Sequence, residues 1–109
     1  MKKRIQRICE AKEFHLLDSS GAIRAMLAVS ESDGSPYFSL CDHNSSPRIS
    51  ICLHSSGAHI SLLRTDGSTC ASMYMQDGAQ AGITVRDESG FPAFMTCTQR
   101  HQKSPDSQD

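Results

Sequence analysis

Phe14-His15-Leu16-Leu17-Asp18-Ser19-Ser20-Gly21-Ala22-Ile23-Arg24-Ala25-Met26-Leu27-Ala28-Val29 reads as a strand, a tight turn and a returning strand. Phe14 and Leu16 alternate with His15 and Leu17, and Ile23, Ala25, Leu27 and Val29 alternate with Arg24, Met26 and Ala28, so the returning strand carries an apolar row on one face. Between the strands, Asp18 can hydrogen-bond the backbone two residues on, and Gly21 takes a positive φ without steric cost. The rest of the chain reads as more worn copies of this unit. Steps of 24, 22 and 23 residues carry Leu16 to Leu40, Leu62 and Val85, and the same steps carry Gly21 to Ser45, Gly67 and Gly90.

The second copy sends Phe38 and Leu40 out, turns at Asp42-His43-Asn44-Ser45, and returns with Ile49, Ile51 and Leu53 against Ser50, Cys52 and His54. The third sets Ala58, Ile60 and Leu62 against His59, Ser61 and Leu63, turns at Thr65-Asp66-Gly67, and returns through Cys70 to Met75. The fourth runs from Ala81 to Val85, turns at Asp87-Glu88-Ser89-Gly90, and returns from Phe91 to Cys97. In that last strand Phe91, Ala93, Met95 and Cys97 hold the apolar parity, which predicts a one-residue slip at a bulge near Pro92.

Turn signals every 10 to 12 residues therefore predict an all-β antiparallel meander of about eight short strands in four hairpins, with no helix. Residues 14–98 form the repeat domain, residues 1–13 lead into it as a strand, and the polar segment 99–109 is expected to be disordered. Each strand has one apolar face and one rich in Ser, Cys, Thr and His, so one face needs a cover. An extended or prism-like assembly of several copies supplies it. The alternative is a closed eight-stranded barrel that binds an apolar ligand inside Phe38, Leu40, Ile49, Ile51, Ile60, Leu62, Met73 and Ile83.

Composition narrows the partners. Hydrophobic residues are 38% of 109, with no Trp, four Phe and two Tyr, a modest supply of core that favours burial shared between subunits. Eleven Lys and Arg against twelve Asp and Glu leave a net charge of -1, so no overall field draws in nucleic acid or an acidic membrane. The basic start, Lys2, Lys3, Arg4 and Arg7, is followed by no apolar run long enough for a signal peptide or a membrane span, and a cytoplasmic location is expected. Five scattered cysteines, Cys9, Cys41, Cys52, Cys70 and Cys97, do not make a disulfide framework.

The phrase Phe14-x-Leu16-x-Asp18-x-x-Gly21-x-x-Arg24-Ala25-x-Leu27, with Asp33-Gly34-x-Pro36-x-Phe38-x-Leu40-x-Asp42 after it, resembles a hairpin repeat found in many short uncharacterised bacterial proteins and in some phage tail-fibre segments. That resemblance implies β-strand modules without assigned catalysis. It covers residues 14–42 well and residues 43–97 through periodicity; the later copies lose the Arg-Ala pair, and Arg64 stands where a turn Asp is expected.

Candidate chemistry is sparse. Cys41-Asp42-His43 and Cys52-Leu53-His54 offer metal-ligating atoms on one hairpin, but about six residues at about 3.3 Å each separate the two histidines by roughly 20 Å, so no metal site or cofactor is expected from them. There is no Gly-x-Ser-x-Gly elbow and no Gly-rich phosphate loop. Asp18, Asp42 and Asp87 recur in register as turn residues, and Arg24 and Arg48 occupy matching places where they can pair with Asp18 and Asp42 or form an anion-binding ladder. The chain is thus expected to be a non-enzymatic structural or protein-interaction module with no catalytic residues. It is expected to act as a homo-oligomer, most naturally a trimer. Arg24, Arg48, His54 and His59 are its candidate interaction face for an unnamed protein partner, and neither nucleic acid nor membrane is expected to bind.

Overall fold

A computed structural model describes residues 5 and 7–98. Eight strands follow one another as β1 (Glu13–Leu17), β2 (Ile23–Val29), β3 (Pro36–Cys41), β4 (Pro47–His54), β5 (Gly57–Leu63), β6 (Thr69–Gln76), β7 (Ala81–Arg86) and β8 (Pro92–Cys97). Each pairs antiparallel with the next to make one meander sheet, and β8 does not return to β1. The closed barrel is therefore corrected to an open, single-layer sheet. The radius of gyration, 19.3 Å, exceeds the roughly 13 Å of a compact chain of this length. None of the described helices is long and apolar enough to cross a membrane, because no helix is formed among these residues.

The four hairpins superimpose in register. Leu16 pairs Ala25, Leu40 pairs Ile49, Leu62 pairs Ala71 and Val85 pairs Phe94, nine residues apart every time, and each pairing is followed by the same irregularity at the turn. The bulge expected only near Pro92 is thus common to all four copies. It cannot shift the last strand alone: Phe94 shares a face with Val85, whereas Met95 and Cys97 lie opposite Thr84 and Gly82 on the other face. The β8 parity expected from Phe91, Ala93, Met95 and Cys97 is corrected accordingly, and this edge strand is apolar on both sides.

The turns explain the repeat. In three of them an Asp carboxylate caps two following amides: Asp18 accepts from Ser20 and Ala22, Asp42 from Asn44 and Ser46, and Asp87 from Ser89 and Phe91. The residue three places on adopts a left-handed backbone, which suits Gly21, Gly67 and Gly90 and is met in the second copy by Ser45 at φ 61°. Ser45 ties that conformation down by donating its hydroxyl to the Ile23 carbonyl.

The strand expected over residues 1–13 begins only at Glu13; residues 5 and 7–12 carry no strand. Glu13 pairs Ala28, one residue short of the end of β2, so a longer β1 would run past its partner and leave its amides unpaired. The expected tail, residues 99–109, lies outside the described residues.

Candidate functional site

Register sorts the side chains into two faces. On one, the central pairings are Leu27 with Phe38, Phe38 with Ile51, Ile51 with Ile60, Ile60 with Met73 and Met73 with Ile83, a continuous apolar row across β2 to β7. The eight residues expected to line a barrel all share this face, although the sheet leaves it open. Among the described residues only Ala25 and Ala28 are buried apolar side chains, and no large side chain is fully buried. Ile60, Leu62 and Met73 remain 43%, 45% and 52% exposed in the middle of the sheet.

The opposite face carries two rows. Ser39, Ser50, Ser61, Ser72 and Thr84 stand side by side on β3 to β7. Next to them run Ala28, Tyr37, Cys52, His59, Tyr74 and Gly82. A Cβ on Gly82 would come within 2.7 Å of the Tyr74 hydroxyl, so the missing side chain is what lets the tyrosine lie against the neighbouring strand.

Arg24 and Arg48 sit at the turn edge. Each reaches its own hairpin's turn, Arg24 to Asp18 at 3.6 Å and Arg48 to Asp42 at 3.5 Å, while its Nε donates to the next hairpin, Arg24 to the Cys41 carbonyl and Arg48 to the Leu63 carbonyl. In the third hairpin Cys70 occupies the place of these arginines, and Arg64, at the position of the turn Asp, does the same work by donating to the carbonyls of Arg86 and Asp87. One guanidinium thus bridges each junction between consecutive hairpins. The pairing expected for Arg24 and Arg48 is present, but their role is to satisfy backbone carbonyls, and the sequence reading did not foresee Arg64 as its equivalent. The signal was there: Arg64 appears in the copy that lacks the strand arginine.

These turns also perturb their acids. The Ser20 hydroxyl, then the Ala22 amide, and last the charge of Arg24 hold Asp18 below the usual carboxylate range. The Ser46 amide is the main cause for Asp42 and the Ser68 hydroxyl for Asp66, and both carboxyls are lowered in the same sense. Asp33, in the loop after β2, is lowered chiefly by the Ser35 amide and least by the charge of His54.

His54 and His59 lie at the far edge, where β4 turns into β5. His54 pairs Gly57 and His59 pairs Cys52, and the two imidazoles stack with centroids 5.2 Å apart and planes 26° from parallel. The four residues named as one interaction face therefore divide into two pairs at opposite ends of β4. Around the histidine pair the structure gathers a third group: the ligand atoms of Cys52, His54 and His59 all lie within 4.8 Å of one another. Cys41 and His43 are not part of this cluster, in keeping with the separation calculated along the strand. The missing partner, His59, belongs to the next hairpin, and only the register across Ser55-Ser56 brings it beside Cys52. No protein-family model matches the chain, and no curated protein matches it.

Proposed function

We propose that the chain is a non-enzymatic structural or interaction module that acts as a homo-oligomer, burying its apolar face against copies of itself and presenting the hydroxyl-rich face outward. The observation that carries this reading is the uncovered row from Leu27 to Ile83, in a sheet whose own chain supplies no second layer among the described residues. Contiguous apolar surface on this scale marks an interaction site. A trimer suits its width. Most of the strands are six or seven residues long and span about 20 to 23 Å, and three sheets of that width set as a triangular prism place each face about 6 Å from the axis, close to half the roughly 10 Å spacing of packed sheets. Side chains of Ile, Leu and Met size fill that interior and leave no channel. The turn-edge arginines and aspartates support a scaffold role, because the aspartates cap their own turns and the arginines carry bonds from each hairpin to the next.

Light scattering on the reduced full-length protein tests this directly. A mass near three times the 11.9 kDa protomer is expected, and Ile51→Asp, which places a charge between Phe38 and Ile60, should disperse or unfold the assembly. A monomeric wild-type protein, or an Ile51→Asp variant with unchanged mass and stability, would sink the proposal.

A further inference from the structure

We infer that Cys52, His54 and His59 form a binding site for one borderline-soft divalent metal ion, with zinc as the reference ion, on the hydroxyl-rich face. The three donors converge for reasons of register. Cys52 and His54 are two apart on β4 and so share a face, and His59 stands directly opposite Cys52 on β5. Opposite His54 is Gly57, buried and without a side chain, so nothing on that position competes for the space between the rings. Stacked imidazoles can each aim one nitrogen at the same ion, and ligand atoms within 4.8 Å of one another need only small rotamer shifts to reach the roughly 2.0 to 2.3 Å bonds of zinc.

The chemistry of the set is selective. One thiolate and two imidazoles are the donors of zinc and copper sites, whereas calcium and magnesium take oxygen. Three protein ligands leave the fourth tetrahedral position for water or a partner's side chain. The surroundings fit an outer shell: the Ser50 hydroxyl lies 3.5 Å from the Cys52 sulfur, and Tyr37 and Tyr74 flank Cys52 and His59 in register on the adjoining strands. Among the described residues no side-chain hydrogen bond engages either imidazole ring, whose contact is with the other ring. On binding, the Cys52 thiol gives its proton to solvent and the sulfur lone pair goes to the metal. Because the site lies on the face opposite the apolar row, it stands or falls independently of the self-association proposed above.

Titration of the reduced full-length protein with cobalt(II), followed by zinc displacement and calorimetry, tests the site. One equivalent per chain is expected, with a thiolate-to-cobalt charge-transfer band and release of a proton. Cys52→Ser should abolish the band, and His54→Ala and His59→Ala should each weaken binding by at least about tenfold, since even an outer-shell change costs about 10 to 100-fold. Cys41→Ser should bind as the wild type does. Absence of a stoichiometric thiolate band in the wild-type protein overturns the inference whatever the variants do. Binding unchanged by His59→Ala, or lost in Cys41→Ser, also overturns it.

Discussion

Along one edge of the sheet, the turns at 18–22, 42–46, 64–68 and 87–91 repeat the same pair of backbone hydrogen bonds; along the other, the connection at 76–80 keeps that pair, while those closed by Ser30 with Ser35 and by His54 with Gly57 differ from it in length and geometry. At the repeating edge the polar side chains are engaged by backbone. Aspartates cap amides, and Arg24, Arg48 and Arg64 carry bonds from each hairpin to the next. At the irregular edge His54 and His59 stack on one another beside Cys52. In a repeat protein, a side chain that recurs in register is first explained by the repeat, and a cluster that occurs once calls for a different explanation. The anion-binding ladder considered for Arg24 and Arg48 yields to a structural role on this ground, and the single Cys-His-His group becomes the site to test.

The contrast can be broken first at the irregular edge. A Cβ at Gly57 would sit 2.0 Å from the Met75 carbonyl oxygen, which belongs to backbone and cannot swing away. Gly57→Ala should therefore force β5 from β6 and cost about 1 to 3 kcal/mol or more. Urea denaturation followed by circular dichroism reads this, and wild-type stability in the variant would mean that the strands do not approach so closely.

Acid should act mainly on the repeating edge. Asp18, Asp42 and Asp66, together with Asp33, are held below the ordinary aspartate value of about 3.9 in the folded chain. The unfolded chain thus binds protons before the folded one does. Their stabilisation is complete at neutral pH and is lost as pH falls below about 3.9 and through the lowered folded values. Thermal melts from pH 7 to pH 2 should be level at first and then drop, and Asp42→Asn should make the drop shallower. A melt that became more stable over the acid range would contradict the caps.

Smaller effects sharpen the comparison within the repeating edge. Arg48→Met keeps the aliphatic stem but leaves the Leu63 carbonyl without its Nε donor, a loss of about 0.5 to 1 kcal/mol at a half-exposed site. Double-mutant cycles with a change in the third hairpin would show whether the bond couples neighbouring copies. Ser45→Gly should be nearly neutral, within about 0.5 kcal/mol, because relief of the left-handed backbone is offset by loss of the hydroxyl bond to Ile23. A loss well above that would mean the Ser45 bond holds the first two hairpins together.

Much of this architecture was legible because it is local. Alternation with period two sorted Phe38, Ile51, Ile60 and Met73 onto one face, and Asp-x-x-Gly spacing located two of the four turns, with Asp42-x-x-Ser45 and Asp66-Gly67 marking the others. The fourth-copy slip was misread because the pattern of apolar residues in β8 follows composition at an edge strand, where neither face is pressed into a core. The lead-in strand failed for a different reason: a strand needs a partner, and β2 ends at Val29.

The sequence by itself determined the strands, the turns, their period of 22 to 24 residues and the identity of the apolar face, since each depends on residues close together in the chain. Only the tertiary structure decided that the sheet stays open, that Arg64 stands in for the missing strand arginine, and that His59 meets Cys52 and His54. Those features depend on pairing between separate strands, and a shift of one residue in register would have sent His59 to the other face.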